Sequence, residues 1–503
     1  MTEFDKDLQS IQEARLVIAA AKKAQQQLAE MSQKQIDQIV DNIAKRAYEQ
    51  AAYLAELAHK ETGFGKTEDK IIKNKFASKT VLDSIKDMKT VGILKDDKVN
   101  QVMEVAVPMG VVAGLIPSTN PTSTTIYKAI IAIKAGNSIV FSPHPGAKGA
   151  ILETVKIIKS AAIEAGAPEG TIGTLSILTM QGTSTLMKHP DIAVILATGG
   201  EAMVKAAYSS GNPAIGVGPG NGPAFIERTA DPATAVAMII DSKTFDNGVI
   251  CASEQSVVVE TVNADAVISE FKRQGGYFLT ADESEKLAKF ILRANGTMNP
   301  QIVGKTAVKI AEMAGFYVPE STTVLLSRQT DASKSNPYAR EKLCPILAFY
   351  VEESWLAACE RCIEILHIEG AGHTLCIHSR DEAVIKEFIL RKPVSRLLVN
   401  APGALGGIGG ATNIAPALTL GCGAVGGSST SDNITPMNLL NIRKAAYGVR
   451  SLADIRQLFN DDSAAPVTPA CRSGVNAVDT TNVIQDENVR RLIQLALEKL
   501  QQG

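Results

Sequence analysis

Hydrophobic positions in the first sixty residues recur with the spacing of amphipathic helices. Residues 4–62 are rich in Ala, Gln, Lys, Glu and Leu, and Ile36, Ile39, Val40 and Ile43 fall on one face of a helix with a 3.6-residue period. Two glycines, at positions 63 and 65, follow this region. The pattern predicts that the chain opens with amphipathic helices that end near these glycines.

From about residue 104 the pattern changes to short apolar runs that are separated by Gly, Pro and Asn and alternate with helical stretches. Short continuous apolar strands spaced by helices are typical of a doubly wound parallel sheet. Strands are predicted at residues 111–116, 138–141, 175–178 and 192–197, and helices at residues 121–135, 147–165, 182–188 and 200–210.

A second series of apolar runs follows residue 251, with strands predicted at residues 255–260, 323–326, 347–350, 373–378 and 396–400. The predicted fold class is therefore α/β, with two doubly wound domains. Residues 403–427 are dense in glycine and almost without charge. This composition predicts a loop that is neither helix nor strand, where the backbone passes close to another group, and we expect it near the active site.

The last segment differs again in composition. Residues 460–481 are rich in Asp, Ser, Ala, Pro and Thr, which predicts a flexible linker. In residues 482–501 the apolar side chains recur at i, i+3, i+4, i+7, i+8 and i+11, which predicts a terminal amphipathic helix. Such a helix either docks on the body of its own chain or binds another protein, and the spacing favours neither alternative.

Charge and composition exclude several classes of function. The chain has 503 residues, with 51 Lys and Arg against 53 Asp and Glu, so it lacks the basic field that nonspecific binding to nucleic acid or anionic lipid needs. No apolar stretch has the length of a membrane helix, and the polar start does not resemble a signal peptide. Seven scattered cysteines fit a reducing compartment. We therefore expect a cytoplasmic protein without nucleic-acid or membrane partners.

Cys251 is the strongest candidate for a nucleophile. It follows a turn-like Asp-Asn-Gly sequence at positions 246–248 and precedes an apolar strand. A thiol at the start of an element can be activated by backbone N–H dipoles and a basic neighbour. The same pattern is also typical of an inert, buried cysteine.

Asn120 is a candidate for an oxyanion-binding residue. It follows the predicted strand at 111–116 and precedes a proline and a helix. A side-chain amide held at a strand end is positioned to donate to an oxyanion. The alternative is an asparagine that serves a turn or caps the helix.

These motifs occur in an order that resembles the aldehyde dehydrogenase superfamily, and within it the CoA-acylating branch, including the aldehyde dehydrogenase half of bifunctional alcohol/aldehyde dehydrogenases. The resemblance runs from about residue 10 to about residue 450. It depends on the motifs at residues 120–123, 142–145, 198–201, 217–223, 245–255, 341–345 and 419–427. No iron-dependent alcohol dehydrogenase half follows, so we expect a protein without that second activity.

The resemblance implies a domain organisation. Residues 1–240 are expected to form the NAD-binding domain, with an oligomerisation segment near residues 98–110, and residues 241–435 the catalytic domain. Residues 436–459 are expected to be a second oligomerisation segment in a homodimer or homotetramer. Residues 460–503 lie beyond the catalytic core of the family and resemble the encapsulation peptides that direct enzymes into bacterial microcompartments.

The resemblance also implies roles at the reacting centre. Cys251 attacks the aldehyde, and Asn120 with the Cys251 backbone N–H holds the oxyanion of the thiohemiacetal. Hydride passes to a nicotinamide and leaves a thioester on Cys251.

Hydrolytic members of the superfamily use a glutamate to activate water, but the matching stretch here, residues 215–223, contains no carboxylate. The implied acyl acceptor is therefore the thiol of coenzyme A, which is intrinsically more nucleophilic than water. His373 matches a histidine of the acylating branch and is expected to deprotonate Cys251 or CoA, or else simply to end a strand.

The cofactor NAD is implied by further matches. Thr198, Gly199 and Gly200 form a turn before a predicted helix, which suits a pyrophosphate, and Glu341 matches the residue that hydrogen-bonds the nicotinamide ribose. The family motif Glu-x-Phe-Gly-Pro is Glu-Lys-Leu-Cys-Pro here, so the Glu is retained while the neighbouring packing differs. Further cofactor contacts are expected from Gly218 and, at the adenine ribose, from Ser142 and His144.

Two motifs are not expected to bind a ligand of their own. Residues 421–426 satisfy G-x-G-x-x-G, but they lack the βαβ unit and the later acidic residue of a dinucleotide site. Cys359 and Cys362 lie in a predicted helix without a second closely spaced pair, so buried helix cysteines are favoured over a metal site. We predict no metal.

The sequence therefore predicts an NAD-dependent, CoA-acylating aldehyde dehydrogenase that converts acetaldehyde or propionaldehyde to its acyl-CoA, as cargo of a microcompartment whose shell or other cargo binds residues 482–501. Alternatives are an acylating enzyme for sulfoacetaldehyde, a hydrolytic aldehyde dehydrogenase whose base comes from elsewhere, and an inactive scaffold that recruits partners through its terminal helix. The aldehyde, the choice between NAD and NADP and the oligomeric state are left open.

Overall fold

The computed structural model of the chain describes residues 5–293 and 295–460 and divides into two units, Met1–Ala445 and Ala446–Gly503. The linker and terminal helix predicted at residues 460–481 and 482–501 lie outside the described residues, apart from residue 460. The helices are α1 (Lys6–Leu28), α2 (Gln33–Glu49), α3 (Ala51–Thr62), α4 (Thr67–Lys75), α5 (Val81–Ile85), α6 (Pro121–Lys134), α7 (Lys148–Glu164), α8 (Met180–Lys188), α9 (Glu201–Tyr208), α10 (Pro232–Thr244), α11 (Ala264–Arg273), α12 (Ala281–Ile291), α13 (Ala307–Met313), α14 (Trp355–Ile368), α15 (Glu382–Arg391), α16 (Gly403–Gly407) and α17 (Leu452–Asn460).

The strands form three sheets. They are β1 (Gly92–Asp97), β2 (Val102–Pro108), β3 (Val111–Ile116), β4 (Ser138–Pro143), β5 (Ile172–Thr174), β6 (Ile192–Thr198), β7 (Ala214–Val217), β8 (Gly222–Ile226), β9 (Glu254–Glu260), β10 (Gly276–Phe278), β11 (Val324–Arg328), β12 (Ile346–Glu352), β13 (Gly372–His378), β14 (Val394–Val399) and β15 (Leu440–Ala446). Among the described residues, no helix is both long enough and apolar enough to cross a membrane.

The predicted helical opening of the chain is confirmed by α1, α2 and α3. Ser32 begins α2 with a capping box, in which its hydroxyl accepts from the Gln35 N–H while its own N–H donates to the Gln35 side chain at 3.0 Å. Gly63 ends α3 with φ +65°, a left-handed conformation that glycine adopts at little cost. The apolar faces of α1 and α2 pack against the helices and strands of the first sheet.

The first α/β layer is a five-stranded parallel sheet in the order β5-β4-β3-β6-β7. The first strand of this sheet along the chain is β3. The next two strands, β4 and β5, lie on one side of it, and β6 and β7 lie on the other side, so the topological switch point lies between β3 and β6. In open α/β sheets, ligands bind beyond the carboxyl ends of the strands at this point. Asn120 and Thr198 follow or end these two strands.

One strand of this sheet was wrongly placed by the sequence pattern. The strand predicted at residues 175–178 lies instead at Ile172–Thr174. The N–H groups of Ser176 and Ile177 donate to the carboxylate of Glu13 at 2.9 and 2.8 Å. Because a side chain from α1 binds these backbone groups, they do not join the ladder of β4.

The second α/β layer is a seven-stranded parallel sheet in the order β10-β11-β12-β9-β8-β13-β14. All five strands predicted after residue 251 are confirmed, with ends that differ by at most two residues. The pattern missed β8, whose Gly-Pro start is atypical of a strand, and the three-residue β10. Since β8 belongs to this sheet, the chain passes from one sheet to the other between Val217 and Gly222. The domain boundary expected at residue 240 stays a prediction.

A third sheet joins the two segments for which an oligomerisation role was predicted. Its three strands have the order β1-β2-β15, and β1 pairs with β2 in antiparallel register. Beyond Leu440, β15 is exposed. The second unit contains α17, which falls within the predicted segment at residues 436–459 and was not predicted. The role of these segments in oligomerisation stays a prediction.

The glycine-rich stretch at residues 403–427 contains a short helix, α16, where only a loop was predicted. The first N–H groups of α16 are satisfied by distant side chains: Gly403 donates to Glu254 Oε1 and Ala404 to Ser242 Oγ, both at 2.7 Å. A Cβ added at Gly407 would lie 2.7 Å from the Ala252 Cβ. The expected close approach to the segment around Cys251 is therefore confirmed.

Candidate active site

The candidate site lies where opposite ends of the two large sheets meet. Asn120 and Thr198 lie at the carboxyl ends of β3 and β6 in the five-stranded sheet. Cys251 precedes β9, and His373 is the second residue of β13 in the seven-stranded sheet, so both lie at the amino ends of their strands. Four predicted residues, far apart in sequence, thus lie around the connection between the sheets.

Cys251 lies on a constrained loop. Asp246, Asn247 and Gly248 all have positive φ, at 48°, 51° and 78°, which confirms the predicted turn and explains why Asp, Asn and Gly occupy it. The thiol is half-buried. Burial, and then the negative charge of Glu341, raise the pKa of Cys251 to about 12, so the resting thiol is protonated at neutral pH.

His373 is the basic neighbour of this thiol. Its Nε2 lies 3.3 Å from Cys251 Sγ, and its Nδ1 lies 2.9 Å from Thr374 Oγ1. Burial, and then the positive charge of Arg396, lower the pKa of His373 well below its usual value, so the imidazole is neutral. For Nε2 to accept the thiol proton, Nδ1–H must donate to Thr374 Oγ1, which also accepts from Arg396 Nε at 3.3 Å.

Asn120 lies next to the same loop. Its Nδ2 donates to the carbonyl oxygen of Val249 at 3.1 Å, two residues before Cys251. Its Oδ1 accepts from the ammonium of Lys73, which also pairs with Asp246. Asn120 stands at the N-cap position of α6, but its side chain makes no capping hydrogen bond to that helix. Its role at an oxyanion stays a prediction.

The connection from β7 to β8 passes directly against the nucleophile. A Cβ added at Gly220 would overlap the carbonyl oxygen of Cys251, so only glycine fits at this position. The Gly220 N–H donates to Glu341 Oε1 at 2.8 Å. Glu341 therefore supplies a carboxylate to a stretch that has none of its own, a contact that the sequence analysis missed. Burial raises the pKa of Glu341 to about 7, while the Gly220 N–H lowers it by a smaller amount.

A cleft of about 850 Å³ adjoins this connection. Gly218, one of the predicted cofactor contacts, lines it. The other lining residues include Glu201, Lys205 and Tyr208 of α9, together with Pro219, Lys334, Arg340, Glu369, Gly426 and Gly427. The cleft thus combines glycine-lined backbone with three basic side chains and two carboxylates, and one of these carboxylates, Glu369, pairs with Arg340.

The predicted turn at Thr198, Gly199 and Gly200 stands at the N-terminus of α9, as expected. Gly200 caps this helix without a side-chain hydrogen bond, and a Cβ added there would meet nothing within 4 Å. Thr198 Oγ1 lies 3.4 Å from Thr419 Oγ1 of the glycine-rich stretch. The space beside Gly200 and the N-terminus of α9 suits an anion such as a pyrophosphate.

Ser142 and His144 lie at the end of β4. The Ser142 hydroxyl is buried and lies 2.9 Å from Thr183 Oγ1, so a protein partner already occupies it. His144 is exposed, and its Nδ1 accepts from the Gly146 N–H at 3.0 Å. Their contact with the adenine ribose stays a prediction.

Sequence reasoning missed several residues around the nucleophile, namely Lys70, Lys73, Thr374 and Arg396, and it identified Asp246 only as part of a turn. Arg396 could have been found, because a charged residue in an otherwise apolar predicted strand is unusual. The two lysines carry no such signal, since Lys is common in helices. Cys359 and Cys362 lie buried within α14, as predicted.

A comparison with known families agrees with this geometry. Residues 7–291 match the model of the aldehyde dehydrogenase family. The chain belongs to the aldehyde dehydrogenase family, and its resemblance to the CoA-acylating branch is confirmed by the relatives described next.

Curated relatives include acylating and bifunctional enzymes. The bifunctional aldehyde-alcohol dehydrogenase AdhE of Escherichia coli is 45% identical over 442 residues, which cover 87% of this chain and 50% of that protein. The acetylating succinate-semialdehyde dehydrogenase of Clostridium kluyveri is 38% identical, over 86% of this chain and 95% of that protein. The chain spans about half the length of the bifunctional relatives that it matches.

Solved structures agree over most of the chain. A probable aldehyde dehydrogenase from Listeria monocytogenes is 66% identical, with a TM-score of 0.89, over 90% of this chain and 100% of that one. An acetylating aldehyde dehydrogenase from Geobacillus thermoglucosidasius is 51% identical, with a TM-score of 0.88, over 90% and 99% of the two chains. The predicted α/β fold with two parallel sheets is confirmed.

Proposed function

We propose that this protein is a CoA-acylating aldehyde dehydrogenase that oxidises a short-chain aldehyde with NAD⁺ to an acyl-CoA. One observation carries the proposal: the Cys251 thiol lies 3.3 Å from a neutral His373, beside a connection between the sheets that has no carboxylate of its own. This arrangement supports formation of a thioester on the cysteine and its transfer to a thiol.

The first step is nucleophilic attack. The raised pKa of Cys251 and the lowered pKa of His373 disfavour a preformed thiolate–imidazolium pair. Transfer of the thiol proton to His373 Nε2 is therefore coupled to the attack of sulfur on the aldehyde carbonyl. A new carbon–sulfur bond forms, and the carbonyl oxygen becomes an oxyanion. The hydroxyl of Thr374 keeps the imidazole oriented through its contact with Nδ1.

The oxyanion is stabilised by donors beside Cys251. Asn120 Nδ2 lies within hydrogen-bond distance of Val249 O, on the loop of the nucleophile, and the Cys251 backbone N–H is the second donor. Removal of one such donor typically costs about 10² to 10³ in kcat. We therefore assign Asn120 a large part of the rate enhancement.

NAD⁺ would be held at the carboxyl edge of the five-stranded sheet. The open space at Gly200, the N-terminus of α9 and the cleft at Gly218 fit a dinucleotide with its pyrophosphate. When bound, NAD⁺ would supply the hydride acceptor that oxidation of the thiohemiacetal on Cys251 to a thioester requires. Glu341 would bind its ribose after leaving the Gly220 N–H. An engineered glycolyl-CoA reductase, 28% identical, has been solved with NADP⁺, so the choice between the two cofactors needs a direct test.

The acyl group is then transferred to coenzyme A. The CoA sulfur attacks the thioester carbonyl, the bond between this carbon and Cys251 Sγ breaks, and acyl-CoA leaves. Once His373 has released its first proton to solvent, its Nε2 is placed to take the proton of the CoA thiol and to return it to Cys251 Sγ as that sulfur leaves, so His373 is the base in both halves of the reaction. The propionaldehyde dehydrogenase of Rhodopseudomonas palustris, 28% identical, has been solved with bound propionyl-CoA and, in another structure, with CoA and an acylated cysteine.

Trapping of the thioester tests this mechanism. The protein is mixed with aldehyde and NAD⁺ without CoA and quenched, and its peptides are examined by mass spectrometry. We expect an acyl group on Cys251 that persists until CoA is added and then appears as acyl-CoA. Cys251→Ser, which is nearly isosteric, should fold normally and carry no acyl group. A folded Cys251→Ser protein with full activity would overturn the assignment of the nucleophile.

A hydrolytic enzyme is the second candidate. The observation that favours it is the carboxyl of Glu341 on Gly220 N–H, with its pKa raised to about 7, which is suitable for a general base. In the trapping experiment, this alternative predicts that the acyl group leaves Cys251 as a carboxylate without CoA. Glu341→Gln would then preserve the acyl-enzyme.

Acetaldehyde and propionaldehyde are the proposed substrates. Relatives with a short unsubstituted aldehyde in their names include the propionaldehyde dehydrogenase of a Clostridium phytofermentans microcompartment, which is 29% identical. A relative from Bilophila wadsworthia, 35% identical, is named as an acylating sulfoacetaldehyde dehydrogenase. Comparison of kcat/KM for acetaldehyde, propionaldehyde and sulfoacetaldehyde distinguishes these possibilities. A preference for the sulfonate would exclude the proposed substrate class.

Association with a bacterial microcompartment, as a homodimer or homotetramer, completes the proposal. It is supported by the amphipathic pattern of residues 482–501 and by the microcompartment relative just described. A chain ending at residue 460 should lose co-localisation with shell proteins while it retains activity. Undiminished co-localisation of the shortened chain would contradict this part of the proposal.

A further inference from the structure

We propose that Lys73 is a positioning residue for the oxyanion-binding amide of Asn120. This inference rests on the proposed function of Asn120 and deepens it. Lys73 lies on α4, and its buried ammonium donates to two acceptors, Asn120 Oδ1 and Asp246 Oδ2. The same side chain thus joins the amide to the turn that precedes Cys251.

Contact with an ammonium decides which way the amide points. An ammonium donates hydrogen bonds and has no acceptor, so it selects the orientation in which Asn120 Oδ1 faces Lys73. The Nδ2 group is then directed toward the loop of the nucleophile, where it donates to Val249 O at 3.1 Å. A positive charge on Oδ1 also polarises the amide and makes its N–H groups stronger donors.

Other side chains on the same face of α4 contact the residues next to Asn120. Lys70, Lys73 and Asn74 are spaced i, i+3 and i+4, and therefore share one face of the helix. Lys70 Nζ lies 3.4 Å from the Thr119 carbonyl oxygen, and Asn74 Oδ1 accepts from Thr122 Oγ1 at 2.8 Å. Three contacts thus join this segment to α4, through the backbone carbonyl of Thr119 and the side chains of Asn120 and Thr122.

Stability alone is a poor explanation for this cluster. Lys70 and Lys73 both pair with Asp246, and each of the three side chains is at most 3% exposed. Removing these charges from water is costly, and apolar residues of similar volume often stabilise a fold as well or better. Burial, and then the charge of Lys73, lower the pKa of Lys70 to about 8, which reflects that cost. A catalytic role explains the cluster better, because it holds the Lys73 ammonium in a fixed position beside Asn120 Oδ1.

The test is a double-mutant cycle between Lys73 and Asn120. Its readout is the burst of p-nitrophenolate released when p-nitrophenyl acetate acylates Cys251. This step develops an oxyanion but needs no aldehyde, NAD⁺ or CoA, so failure of the proposed function leaves the assay intact. Lys73→Met should slow the burst by about tenfold or more, as expected when an oxyanion donor is misplaced. In the Asn120→Ala background the same change should slow it less than about twofold, since coupled residues are not additive.

Lys70→Met is the matched control. It removes the other lysine bound to Asp246, from the same face of α4, but touches only the Thr119 backbone near Asn120. We expect a loss of thermal stability similar to that of Lys73→Met, with a burst slowed by less than about threefold, the size of an indirect effect.

Lys73→Arg provides a second variant if Lys73→Met does not fold. It keeps the charge that pairs with Asp246, but its wider guanidinium displaces the Asn120 amide. A burst slowed about fivefold in the wild-type background, and unaffected in Asn120→Ala, would support the proposal. The proposal is overturned if the Lys73 variants react as fast as the wild type, or if they lose the same factor whether or not Asn120 is present.

Discussion

His373 Nε2 lies 3.3 Å from Cys251 Sγ, although 122 residues separate the two in the sequence. The order of the seven-stranded sheet explains this contact, because β9 and β13 flank β8 and run in the same direction. The loop before β9 and the first residues of β13 therefore meet at one edge. The pKa of the thiol is raised and that of the imidazole is lowered, so the resting pair is neutral.

A neutral pair predicts a specific pH dependence for alkylation of Cys251. The thiolate is the reactive form, and a Cys251 pKa of about 12 means that its fraction keeps rising with pH. Between pH 6 and pH 9, the rate of iodoacetamide labelling should therefore increase about tenfold per pH unit. The measurement is labelling of Cys251 followed by mass spectrometry, with Cys251→Ser as the control for other thiols. A rate that levels off between pH 6 and pH 8 would show a preformed thiolate–imidazolium pair.

Removal of the His373 base predicts a loss in both steps of the reaction. His373→Asn keeps a polar group on β13 but cannot accept the thiol proton as imidazole does. General base catalysis typically contributes 10²–10⁴-fold, so we expect kcat to fall by about 100-fold or more. The measurement is steady-state turnover with saturating aldehyde, NAD⁺ and CoA, with thermal unfolding as the check on the fold. A folded variant that retains more than about a third of wild-type turnover would contradict the role of His373.

Two glycines provide a matched pair of substitutions. Gly220→Ala forces a Cβ into the carbonyl oxygen of Cys251, so the β7–β8 connection must shift. Overpacking of this kind typically costs about 1–3 kcal/mol, and we expect a lower free energy of unfolding together with loss of activity. Chemical denaturation and turnover measure the two effects.

Gly200→Ala adds the same methyl group as Gly220→Ala and is its matched control. Its Cβ would meet nothing within 4 Å, so stability should change by less than about 0.5 kcal/mol. The added methyl group narrows the open N-terminus of α9, and we expect dinucleotide affinity to fall about tenfold, or ~1.4 kcal/mol. Unchanged affinity, measured by calorimetric titration, would remove Gly200 from the cofactor site.

The raised pKa of Glu341 predicts that the stability of the protein changes with pH. Burial raises its pKa from 4.5 to about 7 in the folded protein, so folding favours the protonated carboxyl. The stability that this group contributes is complete below pH 4.5 and is lost as the pH rises through 7. Glu341→Gln, which mimics the protonated form, should therefore gain in Tm relative to the wild type between pH 6 and pH 8.5. A Tm difference that is constant over this range would show that Glu341 is already ionised at pH 6.

The sequence predicted much of this fold because its signals are local. Alternation of apolar runs and helices identifies most strands, and the residues around Cys251 and Asn120 form motifs that are short enough to be read directly. The failures involve distant side chains. The strand expected at residues 175–178 is displaced because Glu13 of α1 binds that backbone, and no local pattern reports such a contact.

The same limit applies to the site. The absence of a carboxylate from residues 215–223 was read correctly, yet Glu341 reaches Gly220 N–H from 121 positions away. Lys73 contacts Asn120 across 47 positions, from a helix in which the sequence does not distinguish the buried lysines, Lys70 and Lys73, from the exposed Lys75. Roles that depend on packing between elements thus become visible only in three dimensions.

The central claim is that a thiol, and not water, accepts the acyl group. The most direct test follows NADH absorbance with purified protein, acetaldehyde and NAD⁺, with and without CoA, and identifies the product by mass spectrometry. Sustained NADH formation that requires CoA and yields acetyl-CoA is the predicted result. Accumulation of acetate at the same rate without CoA would contradict the claim and assign to water the role proposed for CoA.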